Sequence, residues 1–227
     1  MKIYGVPISP YVRKACVALE LKGLEYEIEN IFPGTRTPEY LAISPLGKIP
    51  AFEDGDLVVC DSNVIVEYLE ERYPEIPIRP AGIAQRAKAR WLEEYGSVLF
   101  APCAAGIFME QLTKPFTTGE SPDQSVVENA INNLVPPVFD YVESQLPPEG
   151  FLFGEMSVTD VALISPIINA TYTEFEVDGD RWPKLSAHVR LVKAHPAVVR
   201  CMQAEEPLIV ALNNARDERL AQQTQVA

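Results

Sequence analysis

The order of strand and helix patterns in the first third of the chain restricts the fold more than any other feature. Strands are predicted at residues 2–5, 26–31, 49–52 and 57–60, with a short helical turn at 38–42 and helices starting at Ser9-Pro10 and Asp61-Ser62. Ser, Asp and Pro favour helix starts because the first backbone N–H groups of a helix lack partners within it. A helical crossover implies a parallel strand pair, and the Asp54-Gly55 turn predicts an antiparallel hairpin. These patterns predict an α/β domain with a mixed sheet.

A proline-rich stretch separates this α/β region from a second half in which helical periodicity dominates. Residues 74–82 contain three prolines and a glycine, a composition typical of interdomain linkers. We predict an N-terminal domain at residues 1–78, a linker at 79–85, an all-α helical bundle domain at 86–215 and a polar tail at 216–227. The predicted helices cover 83–114, 125–145, 158–170, 185–204 and 207–222, and Pro102 and Pro136-Pro137 should interrupt or bend the first two.

Charge and composition argue against several classes of function. The formal net charge is −13, whereas nucleic-acid binding requires clustered Lys and Arg. No stretch reaches the roughly 18 apolar residues of a membrane span, and the N-terminus lacks an export signal. The four cysteines form no C-x-x-C pair, and the two histidines show no metal-ligand spacing. We therefore expect a cytoplasmic protein with free thiols, no metal, and neither nucleic acid nor membrane as a partner.

Four local motifs together resemble those of the cytosolic glutathione transferase superfamily, in its serine-type, bacterial-like form. They are Ser9-Pro10-Tyr11-Val12, Gly47-Lys48-Ile49-Pro50, Asp61-Ser62 and Ser157-Val158-Thr159-Asp160. The resemblance extends over about residues 1–214. It implies a thioredoxin-like domain followed by a helical domain, glutathione as co-substrate, a small hydrophobic electrophile as second substrate, and a C2 homodimer.

Ser9 is the candidate catalytic residue. By the resemblance, its hydroxyl stabilises the thiolate of bound glutathione and is not itself a nucleophile. A hydrogen bond to a charged group contributes about 1.5–3 kcal/mol and a helix N-terminus about 0.3–1 kcal/mol, enough to lower a thiol pKa by about two units. The alternative is that Ser9 only caps the helix, with Pro10 in its first position. The related glutaredoxins carry cysteines at the positions of Ser9 and Val12.

Lys48, Ile49 and Pro50 form the second candidate element. The resemblance implies that Pro50 follows a cis peptide bond and that Ile49 offers its backbone N–H and C=O to the cysteinyl group of glutathione, as an added strand does. Lys48 would lie near the glycyl carboxylate. Without the neighbouring motif, Lys48 is better explained as a solvated loop lysine.

Asp61 and Ser62 form the third candidate element. A helix N-terminus binds anions through its backbone N–H groups and dipole, which suits the γ-glutamyl carboxylate, with the Ser62 hydroxyl as a further donor. The resemblance assigns the glutamyl ammonium to the Asp61 carboxylate, although the family more often carries Glu there. The alternative is that both residues merely cap the helix.

Ser157 to Asp160 form a capping box, which predicts a helix start in the second domain and no catalytic role. Tyr11, Phe108 and Tyr172 are candidates for the second-substrate pocket, together with Phe100, Ala104 and Met109. Taken singly, each of these residues is better explained as part of the helix core than as part of a pocket.

These residues leave three functions open. The first is transfer of glutathione to a hydrophobic electrophile, or a glutathione-dependent isomerase, dehalogenase or peroxidase reaction at the same first site. The second is a glutaredoxin-like redox enzyme, which requires a cysteine where Ser9 stands. The third is a non-catalytic glutathione-binding or scaffold protein on the same fold, because fold alone does not imply activity.

Overall fold

The computed structural model describes residues 1–226, and side chains as far as residue 222. The N-terminal domain contains β1 (Lys2–Tyr4), α1 (Pro10–Lys22), β2 (Glu27–Glu29), α2 (Pro38–Ile43), β3 (Ala51–Asp54), β4 (Leu57–Cys60) and α3 (Ser62–Arg72). The strand order is β2-β1-β3-β4, with β1 parallel to β2 and the other two pairs antiparallel. The predicted mixed sheet and thioredoxin-like domain are confirmed.

Helix α1 lies close against the end of β1 because glycine occupies the turn between them. A Cβ atom on Gly5 would lie 2.5 Å from Cγ2 of Val12, a separation that packed atoms do not tolerate. Val12, Ala15 and Leu19 recur at helical spacing and are fully buried. The close approach brings the first turn of α1, and Ser9 before it, next to the carboxyl end of β1.

The second domain is built from helices joined by loops, one of which contains two isolated β-bridges within residues 151–155. Its helices are α4 (Ile83–Gly96), α5 (Lys114–Thr118), α6 (Gln124–Asn129), α7 (Val135–Gln145), α8 (Val158–Ala170), α9 (Pro183–Ala194) and α10 (Pro196–Val226). A single 3₁₀ turn at Ser97–Leu99 and a π-helical segment at Phe100–Thr113 join α4 to α5. A second π-helical segment, Ala130–Leu134, joins α6 to α7.

Prolines account for these changes of helix type. Pro102 lacks the N–H that an α-helix requires, and the chain around it hydrogen-bonds in a different register. Pro136 and Pro137 fall in the first turn of α7, directly after the second π-helical segment. The prediction that these prolines interrupt or bend the helices is confirmed.

Helix α8 is the core of the second domain, and all of its 13 residues are buried. At its start the Asp160 carboxylate accepts hydrogen bonds from the backbone N–H and the hydroxyl of Ser157, at 2.9 and 2.6 Å. Gly96 permits α4 to cross α8 closely, since a Cβ there would lie 2.4 Å from the carbonyl oxygen of Ala162. Helix α8 also packs against α1 of the N-terminal domain and so contacts both domains.

The prediction for the last two helices is wrong in one respect. The break falls at His195, and α10 continues through Pro207 without ending there. Pro196 suits a helix start because its missing N–H needs no partner in the first turn. Buried Glu205 and Leu212 lie on either side of Pro207, so packing maintains the helix despite one lost backbone bond. Residues 216–226 of the predicted tail continue α10, and residue 227 lies outside the described part.

Within residues 1–226, no helix combines the length and apolar character that crossing a bilayer requires.

Candidate functional site

Ser9 lies at the N-cap position of α1, in extended backbone with φ −65° and ψ 128°. Its N–H donates to the Val6 carbonyl at 3.0 Å, and its C=O accepts from the Arg13 N–H at 2.9 Å. The hydroxyl makes no capping bond and has no hydrogen-bond partner among the residues whose side chains are described. Ser9 thus occupies the N-cap position without forming the side-chain bond that a capping role would use. A half-buried donor is left open at a helix N-terminus.

The peptide bond between Ile49 and Pro50 is cis, as predicted. The carbonyl of Lys48 accepts from the Tyr40 and Ser44 hydroxyls at 2.7 and 2.8 Å, which fixes the loop before this bond. In the described part of the chain, the backbone N–H and C=O of Ile49 have no partner. This leaves one donor and one acceptor open to an extended peptide.

Asp61 and Ser62 begin α3 next to this loop, where the Asp61 N–H donates to the Pro50 carbonyl at 3.2 Å. Asp61 has φ 80° and, within residues 1–226, is the only non-glycine residue with a positive φ. Its carboxylate accepts from the Asn63 N–H at 2.7 Å, which uses one of its oxygens. The buried Ser62 hydroxyl has no partner among the described side chains. Residues held in such sparsely populated backbone regions cluster at ligand-binding sites.

The side chain of Lys48 is exposed at the rim of this region and pairs with no carboxylate in residues 1–222. Its ammonium is therefore open to an anion. Ser9, Ile49, Asp61 and Ser62 share the same end of the sheet, because β1 and β3 are neighbours and the Pro50–Asp61 bond joins β3 to α3.

A cluster of buried charged residues, which the sequence did not predict, contacts the start of α3. The Lys14 ammonium bonds to Asn63 Oδ1 and lies 3.5 Å from the Glu93 carboxylate. Burial lowers the pKa of Lys14. Arg79 in the linker region forms a two-pronged pair with Glu93 at 3.0 and 2.8 Å. The start of α3 is thus tied to α4 of the second domain.

A second buried cluster, here called the Arg13 cluster, joins α1 to α8 and α10. Fully buried Arg13 donates twice to Glu205, at 2.7 and 2.7 Å, and also to Ser165 and Asn169. Tyr172 donates its hydroxyl to the same Glu205 carboxylate at 2.6 Å. The sequence holds one sign of this cluster, namely Ser165 and Asn169 within the apolar stretch that follows the first turn of α8.

The three predicted residues of the second-substrate pocket fall into two groups. Phe108 and Tyr172 meet edge to face with ring centroids 6.4 Å apart, and Phe108 packs with Val6 and Ile8 of the Ser9 turn. Tyr11 instead stacks on Phe100, at 5.6 Å. Burial raises the pKa of the Tyr11 phenol. Tyr172 also lines a cavity of about 300 Å³ along α10, whose other lining residues are Lys193, Val199, Met202, Gln203, Glu206 and Ile209.

All four cysteines are free thiols. Burial raises the pKa of Cys16 and Cys103, and raises that of Cys201 to about 12. These three thiols are therefore poor nucleophiles. Within the described residues, no group of three or more His, Cys, Asp or Glu side chains is arranged to hold a metal ion.

The molecule is thus a two-domain protein, with a thioredoxin-like sheet domain followed by a helical domain. The sequence model described as "Glutathione S-transferase, N-terminal domain" matches residues 3–77. A zeta-class glutathione S-transferase of Euphorbia esula is 34% identical over 223 residues, covering 91% of this chain and 92% of that protein. Maleylacetoacetate isomerase of Pseudomonas aeruginosa is 30% identical, with 91% and 98% covered. The chain belongs to the glutathione S-transferase family and is a glutathione transferase.

Solved structures agree with this assignment. A glutathione S-transferase from Rhodospirillum rubrum matches with a TM-score of 0.79 and 27% identity, covering 88% of this chain and 90% of that one. Glutathione S-transferase III in its apo form matches with a TM-score of 0.73 and 30% identity, with 89% and 95% covered.

Proposed function

We propose that this protein binds glutathione beside Ser9 and stabilises its thiolate for attack on a small hydrophobic electrophile. One observation carries the proposal: the backbone groups of Ser9 are bonded, while its hydroxyl stays without a partner among the described residues. The family membership supplies the ligand. A fixed donor at a helix N-terminus supplies the chemistry, because the thiolate is the reactive form of a thiol.

The other proposed glutathione contacts follow from the groups left open around Ser9. Ile49 pairs with the cysteinyl backbone of glutathione, as one more strand would. Ser62 and the first N–H groups of α3 receive the γ-glutamyl carboxylate, while the free oxygen of Asp61 receives its ammonium. Lys48 takes the glycyl carboxylate. Each charged group of the tripeptide thus meets a partner of opposite charge or a row of donors.

The mechanism needs a lowered thiol pKa and a second substrate held close to the sulfur. A hydrogen bond to the thiolate and the dipole of α1 together contribute roughly 2–4 kcal/mol, or about two pKa units. Holding two reactants in reacting geometry supplies the rest of the acceleration. Phe108 and Tyr172, which pack beside the Ser9 turn, and Tyr11 across from Phe100 are the proposed walls for the electrophile.

A glutathione-dependent isomerase is the second candidate function. It is favoured by the 30% identity to the Pseudomonas maleylacetoacetate isomerase, which extends over 91% of this chain. Both functions use the same glutathione site and differ in the second substrate. Dehalogenase and peroxidase activities, and a non-catalytic scaffold role, lack a comparable observation in their favour.

We further propose a homodimer that works in the cytoplasm in detoxification. Exposed apolar side chains lie on both domains, with Val58 and Val64 on β4 and α3, and Trp91 and Val98 on and just after α4. These two patches can cover each other when the N-terminal domain of one subunit meets the helical domain of another. Sedimentation velocity should give a dimer at micromolar concentration that Val98→Glu dissociates. A wild type that sediments only as a monomer contradicts this.

Calorimetric titration with glutathione, combined with turnover of an activated aryl halide and of a cis-dienoic acid, tests the activity. We expect Ser62→Ala to weaken glutathione binding about tenfold, as one charge-assisted bond implies. Ser9→Ala should keep the affinity within a few-fold and lose most of the turnover. Ser144→Ala, an exposed helix position, is the control. Isomerisation without conjugation selects the second candidate, and absence of glutathione binding refutes the proposal.

A further inference from the structure

Two side chains of α8 bond to the carbonyl oxygens on either side of Ser9. Nδ2 of Asn169 donates to the Ile8 carbonyl at 2.9 Å, and the Ser165 hydroxyl donates to the Pro10 carbonyl at 3.1 Å. Both residues are almost fully buried, with 2% and 1% of their surface exposed. Two donors from the second domain therefore fix the turn that carries Ser9 in the first.

Arg13 determines the orientation of both donors. One guanidinium nitrogen, Nη1, bonds to Oδ1 of Asn169 at 2.9 Å and to the hydroxyl oxygen of Ser165 at 2.8 Å. The Arg13 guanidinium can only donate, so it must face Oδ1 of Asn169. The N–H₂ end of the same amide therefore faces the Ile8 carbonyl. Glu205 holds the other two nitrogens of Arg13 at 2.7 Å each. A continuous series of hydrogen bonds therefore runs from Glu205 through Arg13 to the carbonyls beside Ser9, and each bond in it pairs a donor with an acceptor.

We infer that Asn169 and Ser165, oriented by Arg13, are positioning residues that aim the Ser9 hydroxyl at the sulfur of bound glutathione. The inference rests on the proposed role of Ser9. The N–H and C=O of Ser9 are bonded to Val6 and Arg13, and Ile8 and Pro10 are also held. The freedom that remains to the hydroxyl is therefore rotation within the side chain, about the Cα–Cβ and Cβ–Oγ bonds. Hydrogen bonds weaken steeply once the donor angle departs from linearity, so a small shift of this turn reduces thiolate stabilisation.

The central variant is Asn169→Asp. It preserves the size of the side chain and an acceptor for Arg13, but at neutral pH it offers no donor to the Ile8 carbonyl. Ser165→Ala is the milder companion, since it removes the donor to Pro10 and leaves the backbone carbonyl at residue 165 bonded to Arg13 at 2.9 Å. Thr171→Val is the matched control. It removes a half-buried hydroxyl at the end of the same helix, which bonds to Ile168 and Lys193 away from Ser9.

The experiment follows the ultraviolet absorbance of the thiolate of bound glutathione against pH, together with calorimetric affinity and kcat. We expect Asn169→Asp to raise the pH midpoint by about one unit, which is tenfold less thiolate below the midpoint. Glutathione affinity should stay within about threefold, because the groups at residues 48–49 and 61–62 are untouched. Ser165→Ala should move the midpoint the same way by a smaller amount. Thr171→Val should leave it at the wild-type value.

A wild-type midpoint in both Asn169→Asp and Ser165→Ala overturns the inference, whatever their thermal stability. So does an equal shift in Thr171→Val, which would mark a general loosening of α8. If Asn169→Asp does not fold, the midpoint of Ser165→Ala decides. Failure of the proposed function is visible separately. In that case wild-type protein itself shows no lowered midpoint, or Ser9→Ala matches wild type, and the inference falls with it.

Discussion

Replacement of Arg13 by methionine should be one of the most destabilising single changes in this chain. Arg13 is fully buried and makes five hydrogen bonds, two of them to the equally buried Glu205. Methionine fills similar space but leaves the Glu205 carboxylate without a counter-charge. Removal of one partner of a buried ion pair costs about 3–5 kcal/mol. That is a large share of the roughly 5–15 kcal/mol by which folded domains are stable.

The assay is urea unfolding at fixed protein concentration, because a dimer would make apparent stability depend on concentration. The double variant Arg13→Met/Glu205→Leu separates loss of the pair from creation of an unpaired charge. We expect it to recover most of the lost free energy, since apolar replacement of a whole buried pair is often close to neutral. A loss below about 1 kcal/mol for Arg13→Met would show that the buried pair contributes little. A double variant as unstable as the sum of its single changes would show that the unpaired charge is not the cause of the loss.

Three further predictions concern packing and pH. Gly96→Ala should lower the free energy of unfolding by about 1–3 kcal/mol, because the new Cβ meets the Ala162 carbonyl. Helix propensity alone predicts a gain in stability, so the direction in which the urea midpoint moves distinguishes the two. The Tyr73 hydroxyl, at 2.7 Å, is the main cause that holds the pKa of Asp54 below 3.8. The lowered pKa of Asp54 therefore stabilises the folded protein above that pH, and this stabilisation is lost as the pH falls through the folded pKa. The free energy of unfolding lost in Tyr73→Phe should accordingly become smaller in acid. A loss that does not depend on pH contradicts this. Burial lowers the pKa of Lys193 from 10.5. Lys193→Met should therefore raise Tm near pH 7, by an amount that shrinks as the pH rises towards 10.5. An unchanged or lower Tm near pH 7 contradicts this.

Much of the N-terminal domain was predictable because local signals and long-range pairing agree there. The Asp54-Gly55 turn predicted the β3–β4 hairpin, and the helix starts at Ser9-Pro10 and Asp61-Ser62 are where α1 and α3 begin. The end of α9 was not predictable from proline alone. Pro196 and Pro207 carry the same local signal, and only the packing of α10 on α1 distinguishes a helix start from a tolerated interior position.

The candidate site was predictable to the extent that it depends on backbone geometry. The cis bond before Pro50 and the open N–H and C=O of Ile49 occur where the motif placed them, whereas the positive φ of Asp61 was not predicted. The buried clusters around Arg13 and Lys14 were not predictable, since each joins residues from three or more segments far apart in sequence. A charged residue on an amphipathic helix predicts a solvated face. Only the tertiary structure shows that α8 and α10 cover Arg13 and that α3 and α4 cover Lys14.

The most direct test of the central claim is the pH midpoint of the thiolate absorbance of glutathione bound to wild-type protein and to Ser9→Ala. We expect a wild-type midpoint about two units below that of free glutathione, and a return of at least one unit in Ser9→Ala at nearly unchanged affinity. Equal midpoints in the two proteins would contradict this claim, because the open hydroxyl of Ser9 would then have no part in stabilising the thiolate.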